Sequence, residues 1–230
     1  MTETFSIGSA ATARGKFITF EGGEGVGKST QIAHLSRRLD EAGVTHRVTR
    51  EPGGTPFAEE ARRILLDPII TPKTSFAQAM LFYAARSDHL DQLIRPELSR
   101  GHWVVCDRFA DSTRAYQGAA GGVQWEVLDT FDALVIGATM PDLTILLDLD
   151  PKVGLARANE RRAASSPGAF LRADTFEGRQ LEFHQRLRDG FLEGARVHPH
   201  RVLVFDAFQN EIALAEQIWS QVALRFNLTK

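Results

Sequence analysis

Apolar and polar positions along this chain follow two alternating patterns. Short runs rich in Val, Ile, Leu or Phe, typical of strands covered on both faces, occupy residues 17–21, 46–50, 102–107, 143–149 and 201–205. Helical spacing of apolar residues occupies residues 31–41, 57–66, 76–98, 125–136, 151–161, 176–193 and 211–226. Strands that alternate with helices in this way predict right-handed crossovers and an α/β fold with an open parallel sheet flanked by helices.

The predicted sheet also indicates where a ligand would bind. Parallel sheets of this kind bind ligands at the carboxyl ends of their strands. One segment between helices, residues 163–174, is made mainly of Ala, Ser, Pro and Gly around a short Phe-Leu-Arg cluster. Small and turn-forming residues suit a mobile flap better than a packed element.

Composition narrows the class of protein. A chain of 230 residues with 43% hydrophobic residues can form one normal domain, predicted here over residues 16–230 after a loose tail at residues 1–15. The formal net charge of −2 argues against wrapping a nucleic-acid polymer, which needs a broad excess of Lys and Arg. We find no apolar run of membrane-spanning length and no signal-peptide pattern. The lone Cys106 fits a reducing, cytoplasmic setting.

The strongest motif follows the first predicted strand. Residues 22–29 match the phosphate-loop pattern G-x-x-x-x-G-K-[ST] between a strand and a helix, a context that makes a simple Gly-rich turn the weaker interpretation. Its backbone N–H groups can surround phosphates, while the lysine reaches the β- and γ-phosphates and the serine hydroxyl ligates Mg²⁺. The predicted ATP-binding residues are Gly22, Gly23, Glu24, Gly25, Val26, Gly27, Lys28, Ser29 and Thr30.

Three further groups of residues are ambiguous when taken singly. The run Arg-Glu-Pro-Gly-Gly-Thr at residues 50–55 forms an ordered turn after the second strand. Asp107 ends the third predicted strand and Arg108 follows it, where they suit Mg²⁺-bound water and a phosphate, although such a pair is more often a surface ion pair. Phe82 and Arg86 share one helix face, which core packing explains equally well.

The order of these motifs resembles the bacterial thymidylate kinase family. Its most specific part is Asp-Arg-x-x-x-Ser-x-x-Ala-Tyr-Gln at residues 107–117, followed later by Pro-Asp-Leu-Thr at residues 141–144. The resemblance implies a P-loop kinase fold with a mobile lid at about residues 155–176 and a homodimer. It further implies that the protein uses Mg²⁺ and ATP to phosphorylate thymidine 5′-monophosphate (dTMP) for thymidine triphosphate synthesis.

The same resemblance implies roles for individual residues. Lys28, Asp107 and Arg108 would be catalytic, and Ser29, Asp107 and Glu51 would support Mg²⁺, partly through water. Phe82 would stack on thymine, Arg86 would donate to a thymine carbonyl, and Tyr116 would lie beneath the deoxyribose. The predicted substrate-binding set is Glu24, Glu51, Phe82, Arg86, Arg108, Ser112, Thr113, Tyr116 and Gln117.

The transition-state cation is expected to come from the lid. Some family members carry an arginine inside the phosphate loop, where this chain has Val26. The candidates are Arg157, Arg161, Arg162 and Arg172, of which we favour Arg172 because it lies in the flap. For the other three, the solvated face of a helix is at least as good an explanation.

Two alternative functions stay open at this point. A kinase for another pyrimidine monophosphate would keep the phosphate loop and the Asp107-Arg108 pair, but it would not need the set around Phe82, Arg86 and Gln117. A regulatory nucleotide switch would hydrolyse its triphosphate slowly without an acceptor. The guanine-reading Asn-Lys-x-Asp motif of a GTP switch does not occur in this sequence.

Overall fold

The computed structural model describes residues 13–165, 176 and 179–228. Its strands are β1 (Phe17–Glu21), β2 (His46–Arg50), β3 (Trp103–Asp107), β4 (Leu143–Asp148) and β5 (Val202–Asp206). Its helices are α1 (Lys28–Glu41), α2 (Pro56–Leu66), α3 (Ser75–His89), α4 (Arg95–Ser99), α5 (Ala110–Thr113), α6 (Trp125–Val135), α7 (Pro151–Ser165), α8 (Leu181–Val197) and α9 (Glu211–Phe226), with π-helical turns at Leu90–Ile94 and Arg114–Ala119.

The strands form one parallel sheet in the order β2-β3-β1-β4-β5. The predicted α/β fold class is therefore confirmed. Every residue of the central strand β1 is buried, while three of the five residues of the edge strand β2 are exposed. This difference agrees with the near-continuous apolar sequence of β1, since a central parallel strand is covered on both faces.

Successive side chains of β1 enter different cores on the two faces of the sheet. Ile18 and Phe20 pack with α1 and α9 in one core, where Leu35 and Ile218 are also buried. Phe17 faces the other side and packs with the π-turn after α3 and with Phe109, whose ring centroid lies 5.0 Å away. The alternation follows from the two-residue period of a strand.

Helix starts carry the expected capping residues. The Thr55 side chain accepts a hydrogen bond from the backbone N–H of Ala58, and Pro56 occupies the first turn of α2. Thr74 caps α3 in the same way through Ala77, at 3.2 Å. These caps satisfy backbone donors that a helix start leaves unpaired, and they fix where α2 and α3 begin.

The predicted single helix over residues 76–98 is wrong in its middle. The chain widens into the π-turn Leu90–Ile94 before α4 begins. Pro96 has no backbone N–H, and its ring would clash with the carbonyl four residues earlier in a regular helix, so the wider turn accommodates it. The helix predicted at residues 176–193 is also shifted, since Phe176 lies in a turn and α8 runs from Leu181 to Val197.

The predicted tail and flap are only partly described. Most of the tail lies outside the described residues, but Arg14 pairs with Asp142 at 2.9 Å and the Gly15 N–H donates to the Leu98 carbonyl at 2.9 Å. The predicted flap begins inside a helix, because α7 continues to Ser165, and residues 166–175 lie outside the described part. Among the described residues, no helix combines the length and apolar character needed to cross a bilayer.

Candidate active site

A cavity of about 330 Å³ lies where β1, β2 and β3 end. Most of the residues predicted to bind nucleotide line it together: Glu24, Gly25, Val26, Gly27, Lys28, Ser29, Glu51, Phe82, Arg86, Asp107, Arg108, Ser112, Thr113, Tyr116 and Gln117. Gly22, Gly23 and Thr30 do not line the cavity. One end of the cavity is therefore formed by the phosphate loop and the other by α3 and the α5 region.

The phosphate loop leaves β1 through glycines in conformations that other residues rarely adopt. Gly25 has a φ of +67°, and a Cβ placed on it would lie 2.0 Å from the Gly154 carbonyl oxygen. Gly27 has a φ of +91° and immediately precedes the first residue of α1. The loop thus brings the start of α1, with the positive end of its dipole, to the cavity wall.

Lys28 is folded back over the loop. Its Nζ donates to the carbonyls of Gly22 at 3.1 Å and Gly23 at 2.8 Å. Burial and the neighbouring Arg108 lower the pKa of Lys28 to about 8. A phosphate that bound beside this ammonium would offset both the cost of burying its charge and its repulsion by Arg108, so the site favours an anion.

Arg108 connects the turn after β3 to the phosphate loop. Its backbone adopts a left-handed conformation with a φ of +67°. Its guanidinium donates to the Gly22 carbonyl at 2.9 Å, to Glu24 Oε1 at 2.9 Å and to Ser112 Oγ at 3.2 Å. Although burial opposes the shift, Arg108 and Lys28 lower the pKa of Glu24 to about 2, so this carboxylate is ionised at neutral pH.

Glu21, the last residue of β1, is hydrogen-bonded to the turn after β3. It is fully buried and accepts hydrogen bonds from the Phe109 N–H at 2.8 Å and from the Ser112 hydroxyl at 2.6 Å. Burial and the charge of Asp111 raise the pKa of Glu21 to about 8, although the Ser112 bond opposes this. The carboxyl group thereby anchors the start of the short helix α5 through Phe109 and holds the turn that carries Arg108 to the cavity.

The far end of the cavity contains unsatisfied polar groups. Arg86 is 1% exposed, and its Nη1 has no hydrogen-bond partner among the described residues. Gln117 is also 1% exposed, and neither its amide nitrogen nor its amide oxygen has a partner in the described part of the chain. Buried polar groups are rarely left unpaired, so these atoms indicate where a polar ligand would bind.

Aromatic rings bound the same end. Phe82 is half-buried on the cavity wall, and its ring centroid lies 6.2 Å from that of Phe176. The Tyr116 hydroxyl donates to Glu24, and the guanidinium of Arg108 lies 5.1 Å from the centre of the Tyr116 ring. A flat ring could stack on Phe82 while its edge faces Arg86 and Gln117.

The predicted metal residues differ in their surroundings. Asp107 Oδ1 is buried at the cavity without a partner among the described residues, and the exposed Ser29 lines the same wall. Both Glu51 oxygens already accept, from Arg86 at 2.8 Å and from His89 at 3.0 Å. In the described residues no group of three or more His, Cys, Asp or Glu could hold a metal. Mg²⁺ commonly takes one or two carboxylates plus phosphates and water, which Asp107 and Ser29 suit.

The lid arginines occupy different positions. Arg172 lies outside the described residues. Arg161 lines the cavity, whereas Arg157 donates to the Ala207 carbonyl at 3.2 Å and Arg162 to Asn159 at 3.2 Å. Of the candidate arginines in the described chain, Arg161 is therefore the one placed at the cavity.

Sequence reasoning missed several residues of this site. Pro52, Arg62, Leu66, Phe109 and Phe176 also line the cavity. Pro52 and Phe109 directly follow the predicted Glu51 and Arg108, so adjacency to a motif was a usable signal. Arg62, Leu66 and Phe176 reach the cavity only through tertiary packing, and Glu21 supports it from beneath, which no local pattern indicates.

The fold and site together define a P-loop nucleotide kinase. A family model described as "Thymidylate kinase" matches residues 20–218. A thymidylate kinase of Rhodopseudomonas palustris is 48% identical over 213 residues, covering 92% of this chain and 90% of the relative. One of Bradyrhizobium diazoefficiens is 47% identical over 218 residues, covering 95% and 92%.

A solved structure agrees with these sequence relatives. The thymidylate kinase of Ehrlichia chaffeensis superposes with a TM-score of 0.70 at 31% identity, covering 91% of this chain and 98% of that one. The chain belongs to the thymidylate kinase family. The resemblance drawn from the motifs is confirmed.

Proposed function

We propose that this chain transfers the γ-phosphoryl group of ATP to dTMP, giving ADP and thymidine 5′-diphosphate for thymidine triphosphate synthesis. One observation carries the proposal: a single cavity joins a phosphate loop to a buried end where Arg86 Nη1 and the Gln117 amide lack partners. A kinase must hold two nucleotides with their phosphates adjacent. A cavity with a phosphate-binding end and a base-sized polar end meets that requirement.

At the phosphate end, the protein would neutralise and align two polyanions. Lys28 and the start of α1 would bind the donor phosphates, and Arg108 would bind the acceptor phosphate with its planar fork of donors. Arg108 reaches the loop carbonyl of Gly22 at 2.9 Å, so the acceptor phosphate would be held beside the donor. Transfer needs no covalent intermediate with the protein, since alignment and charge stabilisation suffice.

At the base end, the polar groups favour a pyrimidine with two carbonyls. Arg86 Nη1 can donate to one carbonyl, and the Gln117 amide can both donate and accept at the base edge. Thr113 is less available, because its hydroxyl already accepts from Arg86 Nη2 at 2.9 Å. A cytosine bound with its 4-amino group at Arg86 Nη1, the position of the 4-carbonyl in thymine, would leave that donor without an acceptor.

The sugar region favours a deoxyribose. Tyr116 is 6% exposed, and its ring packs edge-on against Phe176 at 5.3 Å between centroids. A side chain held this firmly cannot move aside for an extra hydroxyl, so a ribose would meet its bulk. Tyr116 also donates to Glu24, so a sugar that lay against Tyr116 would have Glu24 beside it.

Mg²⁺ fits the donor end. Asp107 would hold it largely through water and Ser29 through its hydroxyl, with the remaining positions taken by phosphate oxygens and water. When bound, the ion would neutralise charge on the transferred phosphoryl group. Glu51 would act mainly on Arg86, because both of its oxygens already accept hydrogen bonds.

A lid arginine would complete the site, with Arg172 as the sequence-based choice and Arg161 as the candidate at the cavity wall.

We also propose a cytoplasmic homodimer. The dimer is supported by the exposure of three large apolar side chains, Phe57, Phe76 and Met80, on the adjoining helices α2 and α3, each about half exposed. Apolar side chains that together form an exposed patch mark an interaction surface.

The test is whether ATP turnover depends on the acceptor. Purified protein with ATP and Mg²⁺ should release ADP rapidly only when dTMP is present, and chromatography should recover thymidine diphosphate in equal amount. A regulatory switch would behave differently. Equal release of ADP and inorganic phosphate with and without dTMP would exclude the proposed transfer.

A further inference from the structure

A buried polar chain runs from β2 to the base end of the cavity through His89. Its Nε2 lies 2.8 Å from Thr49 Oγ1, and its Nδ1 lies 3.0 Å from Glu51 Oε1. The other Glu51 oxygen accepts from Arg86 Nε at 2.8 Å. His89 is 0% exposed and Glu51 only 5%, so water cannot substitute for a missing partner in this series of hydrogen bonds.

The direction of each hydrogen bond follows from chemistry. The Glu51 carboxylate can only accept, so Nδ1 of His89 must carry the proton that faces it. Thr49 can accept from or donate to Nε2. His89 thus fixes one oxygen of Glu51, and the carboxylate's plane is set by His89 on one side and Arg86 on the other.

Arg86 depends on that carboxylate for its orientation. Glu51 binds its Nε and Thr113 binds its Nη2, which leaves Nη1 as the donor available at the cavity. Its guanidinium carbon also lies 4.9 Å from the centre of the Tyr83 ring and 5.1 Å from that of Phe109. Burial is the largest single effect and lowers the pKa of Arg86, but the combined interactions with Glu51, Tyr83 and Asp132 exceed it, so the pKa of Arg86 is raised.

His89 itself is not at the cavity wall. The turn after β2 closes over its ring, and a Cβ placed on Gly54 would lie 2.5 Å from Nε2. The imidazole therefore has no path to a bound nucleotide. Any influence it has on substrate must pass through Glu51 to Arg86.

We propose that His89 is a positioning residue for base recognition: its Nδ1–H holds Glu51, which aims Arg86 Nη1 at the acceptor base. The inference rests on the proposed function, because it assigns His89 to the acceptor rather than to ATP. Loss of the Nδ1–H should therefore weaken dTMP binding selectively. A histidine that only filled the core would affect stability without this selectivity.

Two substitutions separate the ring's two nitrogens. In His89→Asn the amide nitrogen can take the place of Nδ1 and still donate to Glu51, whereas in His89→Gln the amide reaches toward Thr49 and leaves Oε1 of Glu51 without a donor. Loss of a hydrogen bond to a buried charged group weakens an interaction by about tenfold or more. His89→Gln should raise KM for dTMP by about tenfold and leave KM for ATP within about twofold, and His89→Asn should stay much closer to the wild type.

A matched control is His102→Gln. His102 also pairs with a glutamate, Glu97, through Nδ1 at 2.8 Å, but it is 36% exposed and away from the cavity. This variant should leave both KM values unchanged. Equal dTMP KM values in wild type and His89→Gln would overturn the proposal, as would equal losses in the Asn and Gln variants.

A measurement on the wild-type protein covers the case in which His89→Gln does not fold. Nitrogen NMR of histidine-labelled protein should find the His89 proton on Nδ1, with its resonance shifting on addition of dTMP but not of ADP. A bare Nδ1, or no response to dTMP, would contradict the inference. If wild-type protein released no ADP in response to dTMP, the proposed function itself would fail, which is a different outcome from an unchanged KM in the variant.

Discussion

Arg108 Nη2 lies 2.9 Å from Glu24 Oε1, an ion pair that joins the turn after β3 to the phosphate loop after β1. The two residues lie 84 positions apart in sequence. The pair places the proposed acceptor arginine against the proposed donor loop before any nucleotide binds. Such preorganisation reduces the reorganisation needed at the moment of transfer.

Replacing Arg108 with lysine should weaken acceptor use. Lysine keeps the positive charge but lacks the planar fork that can bind a phosphate through two parallel hydrogen bonds. We expect KM for dTMP to rise by about tenfold or more, with KM for ATP little changed. Arg100→Lys, at a 61% exposed side chain paired with Glu97, is the control. A defect confined to the ATP KM would assign Arg108 to the donor instead.

ATP affinity should fall as the pH rises above about 8. The pKa of Lys28 is lowered to about 8, so its charge is present below that pH and lost above it. If ATP requires the charged form, affinity falls by up to about tenfold for each further pH unit. Calorimetric titration between pH 7 and 9.5 measures this. Lys28→Arg, which stays charged, should lose the dependence, and an unchanged slope in that variant would assign the titration to another group.

Asp107→Asn should raise the Mg²⁺ requirement. Asp107 has a buried carboxylate oxygen without a partner in the part of the chain that the structure describes. Asparagine is neutral and has an NH₂ group in place of one carboxylate oxygen, and this group cannot accept a hydrogen bond from metal-bound water. We expect the Mg²⁺ concentration for half-maximal rate to increase by about tenfold or more, because a carboxylate contributes charge as well as a ligand. Asp40→Asn, at a 73% exposed side chain, serves as the control. A normal Mg²⁺ curve in Asp107→Asn would remove Asp107 from the metal site.

The lid arginine should act mainly on the rate. A cation that contributes in the transition state lowers kcat far more than it raises either KM when removed, by up to roughly a thousandfold. We expect this for Arg172→Ala, with Arg196→Ala, a 73% exposed side chain outside the lid, as the control. If Arg172→Ala kept a normal kcat and Arg161→Ala lost it, the role would belong to Arg161 at the cavity wall.

Much of the fold could be predicted from sequence because its signals are local. The buried strands are apolar runs of the right length, and β1 and β2 have the predicted bounds. The widened turn before Pro96 was missed because apolar spacing there is compatible with a regular helix. The short helix α5 was missed because its sequence, Ala-Asp-Ser-Thr, is polar and its start is held by Glu21.

The site residues also divide into those that a local motif identifies and those that depend on long-range contacts. The phosphate loop is a continuous motif, so its residues were identified directly. The sequence identified Glu51 as a candidate site residue but could not predict its partners Arg86 and His89, because they lie 35 and 38 positions away. Long-range pairing of buried charges has no local signature. In the structure the two oxygens of Glu51 accept from an arginine and a histidine, and its support of Mg²⁺ stays a prediction.

The acceptor preference tests the central claim most directly. ADP release is measured with dTMP, deoxyuridine, cytidine and adenosine monophosphates under identical ATP and Mg²⁺. We predict the highest kcat/KM for dTMP, with deoxyuridine monophosphate several-fold lower, because the 5-methyl group contributes about 1 kcal/mol of apolar contact. A higher kcat/KM for cytidine or adenosine monophosphate would contradict the account.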